Sequence, residues 1–230
     1  MTERLAVTEK TRLHRLPKRG FHDMATIYEI LDEGFVAHVG FNGEDGNPIV
    51  IPTGYARRGD ELLIHGSSAS RMMRTLAGEV EVCVTVTLVD GLVLARSAFH
   101  HSMNYRSVVV FGSAKLIEDE VGKRDALMAL TEHIVPGRWQ KVRPPNANEL
   151  KATTVLTLPL TEASAKVRTG APIDDAEDYT SSVWAGILPL STEPGTPVPD
   201  PLMVRTTGLP DHIKHYRRDR RPRESSQEPQ

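Results

Sequence analysis

A chain of 230 residues is long enough to bury the core of one domain, with room for decorated ends. Its 28 Lys and Arg stand against 30 Asp and Glu, so no global field advertises a nucleic acid or an anionic membrane as partner. The single cysteine, Cys83, excludes a disulfide framework and a thiolate zinc site, and the sequence shows neither an apolar signal core nor a membrane-length apolar run. These features predict a soluble cytoplasmic protein.

Taken in order, residues 1–18 are polar and charged and predict an extended arm. Asp23 suits the cap of a short helix with Ile27, Ile30 and Leu31 on one side and Gly34 as its stop. Phe35–Phe41 and Ile49–Ala56 predict strands around a loop of turn formers, and Arg58-Gly59-Asp60 turns the chain into Leu62–His65. Gly66–Arg71 leads into a helix carrying Met72, Met73 and Leu76. The run from Val82 to Leu116 predicts a meander of three antiparallel strands, the first two joined by a turn at Asp90-Gly91. In its first strand Val82, Val84, Val86 and Leu88 share one face, and Cys83, Thr85 and Thr87 the other, so one face suits a core and the other leaves room for a ligand. Glu118–Val135 predicts a helix closed by Pro136-Gly137; Thr153–Leu158, Ala163–Val167 and Val183–Leu190 predict strands. The domain thus spans 19–190. A Pro-rich linker with a short terminal helix occupies 191–216, and 217–230, charged and nearly without apolar residues, predicts a disordered tail. Some seven short strands with inserted helices predict an antiparallel barrel in an α+β setting, mainly β.

Two stretches carry chemistry. The segment Ser67–Arg71 combines hydroxyls, a guanidinium and the free N–H groups of a helix start, a set suited to phosphate; an ordinary capped helix with an exposed Arg is the plain alternative. The polar knot between the second and third runs of the meander gathers His100, His101, Ser102, Asn104, Tyr105 and Arg106 at a sheet rim. If extended, His100 and His101 point to opposite faces, so one of them faces a pocket. Neither that pair nor His212 and His215, one helical turn apart, forms a convincing metal site. Cys83 has no flanking base, Trp139 and Trp184 read as packing residues, and the serines form no nucleophile elbow.

The order of a strand ending in Pro52-Thr53-Gly54-Tyr55, a turn, LLIHG, SASRMMRTL and CVTVTLVDGLVLARSAFHHSMNYRSVVVFGSA resembles the pyridoxamine 5′-phosphate oxidase-related flavoproteins. Within them it is similar to the flavin-nucleotide-binding branch that includes 5-nitroimidazole-resistance type proteins. The resemblance covers Leu16 to Leu190 and is strongest from Ile49 to Ala114. It implies a split β-barrel holding FMN at a homodimer interface, with F420 or haem as alternatives. Ile51, Pro52, Thr53 and Gly54 would run beside the flavin ring; His65 would contact the flavin and orient or protonate a substrate. Ser70, Arg71 and Met72 match a phosphate-binding Ser-Arg-Lys segment, with Met in the Lys position. Arg106 and Ser107 match an Arg-Gln segment at the flavin, and Trp184 an aromatic near the ring. The neutral strand IVIPTGY lacks the basic residues of true pyridoxamine phosphate oxidases. The resemblance therefore implies a flavin oxidoreductase that passes electrons from NADH or NADPH to a nitroaromatic, quinone or metabolite, or else a module that binds flavin without turnover.

Overall fold

The computed structural model describes residues 3–203 and 208–218. Residues 219–230 of the expected tail lie outside them. Met24–Glu33 (α1) is capped by Asp23, whose carboxylate accepts the Thr26 N–H at 2.9 Å, and it buries Ile27, Ile30 and Leu31 completely. Gly34 ends α1 in an extended conformation rather than a left-handed one. The position needs glycine for closeness: a Cβ there would lie 2.7 Å from the Tyr55 hydroxyl and from Val86 Cγ1.

The strands are Gly20–Phe21 (β1), Val36–Asn42 (β2), Pro48–Arg58 (β3), Glu61–Ser67 (β4), Glu81–Leu94 (β5), Ser102–Ser113 (β6), Lys115–Leu116 (β7), Thr153–Pro159 (β8), Glu162–Arg168 (β9) and Gly186–Pro189 (β10). They form a sheet of order β1-β9-β6-β5-β2-β3-β4-β8-β7, with β10 added to β5, and every pairing is antiparallel. Long β3 changes partner midway. Its Pro48–Gly54 half pairs with β2, and its Tyr55–Arg58 half pairs with β4. That division makes the sheet a split β-barrel. Arg71–Leu76 (α2), Glu120–Ile134 (α3), Ala147–Ala152 (α4) and Asp211–Lys214 (α5) complete it. No described helix is long and apolar enough to cross a membrane.

Alternation places Val39, Val84, Val86, Val108 and Val110 in the barrel, where they pack with the buried face of α1. A smaller core of Ala56, Leu63, Ala126, Leu130 and Val155 lies between α3 and the β3–β4–β8 half.

The predicted hairpin at Asp90-Gly91 is not formed. β5 runs unbroken past it, and Asp90 is the extra residue of a bulge: Val89 pairs with Tyr105 and Gly91 with the next residue back, Asn104. Gly91 is required by β10, since a Cβ there would meet Leu188 O at 3.0 Å. The connection to β6 is instead the polar knot at 95–101. The terminal strand is also shorter than Val183–Leu190. Residues 192–200 form neither helix nor strand, and α5 sits within the expected terminal helix. Arg218, within the segment expected to be disordered, is buried: its guanidinium donates to the carbonyls of Asp32, Glu33, Gly34 and His133 and lies over the Phe35 ring.

Candidate functional site

The side of the β3–β2–β5–β6 sheet that faces away from the barrel is open. Register places Pro52 opposite His38, His38 opposite Thr85, Thr87 opposite Ser107, and Val89 opposite Tyr105, all projecting outward. Val36, Val50 and Val89 are 43%, 66% and 44% exposed on this side, separated by His38, Pro52 and Thr85. The hydroxylated face carrying Cys83, Thr85 and Thr87 is therefore the open one, and the valine face is the core. Burial pushes the Cys83 thiol up, so it stays a thiol rather than a nucleophilic thiolate. Next to this face a cavity of ≈ 440 Å³ is lined by Phe35, Thr87, Val89, Ser191, Thr192 and Arg218 among others.

The expected site residues divide. Pro52 and Ser107 lie on the open face, and Gly54 faces the same side, where a Cβ would touch Ile134 of α3. Ile51 and Thr53 alternate inward, Ile51 against the main core and Thr53 opposite buried Ala37, so only their backbone is offered to a neighbour. His65 is opposite Val155 and points with Leu63 toward the α3 side. Its Nδ1 is enclosed without a hydrogen bond among the described residues, and burial lowers its pKa. Its ring is therefore neutral near pH 7.

Ser70 starts α2 without a side-chain cap bond, and Arg71 is exposed beside it. α2 is only six residues long, so its dipole adds little, and Arg71 shares a recess of ≈ 190 Å³ with Glu44 and Asp45. Asp45 is held below the ordinary carboxylate range mainly by the Asn47 side chain, with help from the charge of Arg71. Met72 does not face this recess. Its side chain is 7% exposed and belongs to the main core, as the inward position of a short amphipathic helix requires. Trp184 lies just before β10 and is 67% exposed.

Arg106 departs furthest from expectation. It points inward beneath the end of α1, donating from Nη1 and Nη2 to both Glu33 oxygens (2.7 and 2.8 Å) and from Nε and Nη2 to both Asp90 oxygens (3.0 and 2.9 Å). Burial alone would lower its pKa, but the two carboxylates reverse that and raise it. A guanidinium clamped by two buried carboxylates is a structural cross-link.

The knot's histidines diverge. His100 Nε2 turns inward, 3.3 Å from Asp175 but without hydrogen-bond alignment. His101 stays exposed with its Nδ1 2.8 Å from the Ser97 carbonyl. His38 was not foreseen; the alternation Val36-His38-Gly40 in the predicted strand held the signal.

Fold and open face together define an antiparallel split barrel of the flavoprotein type. Residues 23–167 match the family model described as pyridoxamine 5′-phosphate oxidase, and the chain belongs to that family. No curated protein matches it. Among solved structures it is similar to the flavocytochrome Anf3 from Azotobacter vinelandii, at 41% identity over 93% of this chain and 99% of that one, with a TM-score of 0.86. It is also similar to an FAD and haem binding protein from Mycobacterium smegmatis, at 38% identity over 85% and 96%, TM-score 0.81. A protein described as a 5-nitroimidazole antibiotic resistance protein from Bacteroides thetaiotaomicron matches at 25% identity over 64% and 86%, TM-score 0.54.

Proposed function

We propose that this chain is a redox protein that binds a flavin nucleotide and haem and works as a homodimer. The observation that carries the reading is similarity at 41% and 38% identity, over nearly the whole chain, to a flavocytochrome and to an FAD and haem binding protein. It favours FAD over the FMN that the resemblance of the sequence alone suggests. The open face supports the same reading: exposed Val36, Val50 and Val89 around small hydroxylated side chains suit a planar ring and a second copy better than water.

The residues present fit a flavin. Backbone groups of Ile51–Gly54 flank the open face, Ser107 and Thr87 add hydroxyls, and Arg71 with the hydroxyls of Ser67, Ser68 and Ser70 offers donors to an anionic tail. A bound flavin would supply two-electron exchange with a nicotinamide, and haem one-electron transfer; the protein orients the rings and shields them from water. Oxidation of pyridoxamine phosphate is not proposed. β3 is neutral until Arg57 and Arg58, which are held by Asp32 and Glu61.

Absorption spectra of the purified protein, before and after hemin and FAD are supplied, test this directly. Flavin bands, a Soret band and release of FAD on denaturation are expected, with a dimer by sizing chromatography. A protein that takes up neither cofactor sinks the proposal. Bleaching of the flavin by NADH or NADPH separates an oxidoreductase from a module that only binds.

A further inference from the structure

We infer that His101 is the residue through which this chain ligates haem iron. The inference rests on the haem reading above and adds the ligand. A haem-ligating imidazole presents Nε2, the nitrogen clear of its own main chain, while Nδ1–H is held by a carbonyl or carboxylate, which fixes tautomer and ring direction. His101 has that arrangement. Its Nδ1 is 2.8 Å from the Ser97 carbonyl oxygen, which has no proton to give, so Nδ1 carries the hydrogen and Nε2 the lone pair, on an exposed side chain.

The surroundings suit an apolar macrocycle. His101 immediately precedes β6. Two residues on, Met103 pairs with Leu92, and Leu92 pairs with Leu188 of β10, making an apolar row across three strands in which Met103 and Leu188 are each 50% exposed. Phe99, two residues before His101, is 90% exposed. Large apolar side chains left this open beside an oriented imidazole make a surface that a flat hydrophobic ligand covers.

The chain has nine histidines, and the other eight are less suited. His22 and His133 place Nε2 against the carbonyls of Thr11 and Gly34. His14 Nε2 faces Glu9 and His100 Nε2 faces Asp175. The Nδ1 of His65 and the Nε2 of His212 are enclosed by protein. His38 is exposed on the open face, but no hydrogen bond to a described residue orients it. His215 shares the Nδ1-to-carbonyl bond, to Asp211 at 3.0 Å, yet its recess is lined by Arg217, Tyr216, His212 and Pro136 rather than an apolar row.

The test uses the full chain loaded with hemin, read by optical absorption and electron paramagnetic resonance. His101→Gly is expected to lose about 100-fold or more in hemin affinity and to change the ferric spectrum, while added imidazole restores the wild-type signature. Unchanged circular dichroism and flavin content in that variant keep a folding defect apart from ligand loss. His215→Ala is expected to leave the spectrum as it is. A wild-type spectrum in His101→Gly, or loss of the haem signature in His38→Ala or His215→Ala with His101→Gly intact, overturns the inference alone. Failure of the wild-type protein to bind hemin overturns the haem reading as well.

Discussion

Arg106 is held between Glu33 and Asp90, with all three side chains about a tenth exposed or less, so none can fall back on water. Removing the cation leaves two carboxylates in the barrel mouth. Arg106→Met is expected to cost about 3–5 kcal/mol, read as the urea unfolding midpoint, and Arg106→Lys to recover only part because an ammonium lacks the fork geometry. No change in the midpoint would mean the clamp is idle. His65 adds a pH dependence. Its folded pKa lies below the ordinary value of 6.5, so the folded chain binds fewer protons than the unfolded one. Its contribution is complete above about pH 6.5 and is lost as pH falls toward the folded value. His65→Gln is expected to flatten the fall in stability as pH drops below about 6.5; an unaltered slope refutes the assignment to His65. The clamp was invisible in the sequence because its partners lie 73 and 16 residues from Arg106, and a long-range ion pair leaves no local pattern.

Elements were easier to read than their joints. Val82, Val84 and Val86 alternate with Cys83, Thr85 and Thr87, and that period alone distinguishes core face from open face. Asp90-Gly91 misled because the same dipeptide serves a hairpin turn and a bulge; what decides is whether both flanking runs pair with one strand, and both pair with β6. Met72 poses a related problem. Matching a motif position ignores which way a helix turns, and α2 turns that residue into the core. The end of α1 gives a sharp prediction at this scale. Gly34→Ala introduces a methyl group 2.7 Å from the Tyr55 hydroxyl and from Val86, and overpacking there is expected to cost about 1–3 kcal/mol in thermal unfolding. A variant as stable as the parent would show that α1 ends with slack.

Across the whole molecule, the C-terminal segment returns after the Pro-rich stretch and anchors to α1 and α3. The Tyr216 hydroxyl donates to Ile134 O at 2.9 Å, and Arg218 satisfies carbonyls at the end of α1 that helix geometry leaves open. Arg218→Ala is expected to accelerate protease cutting between residues 191 and 217 while leaving the barrel resistant. Cleavage at the parent rate would refute the anchoring role. Composition pointed the other way, because a charged tail has no apolar residue to bury; carbonyls at a helix terminus are a partner that hydropathy does not register.

The two-sided pairing of β3 has a thermodynamic corollary. A ribbon shared by both half-sheets cannot leave one while keeping its place in the other, since Gly54 and Tyr55 are covalent neighbours serving different partners. The halves should melt as a single cooperative unit, with amide exchange at Val39 and at Ile64 governed by the same global opening, while the β10 fringe exchanges earlier.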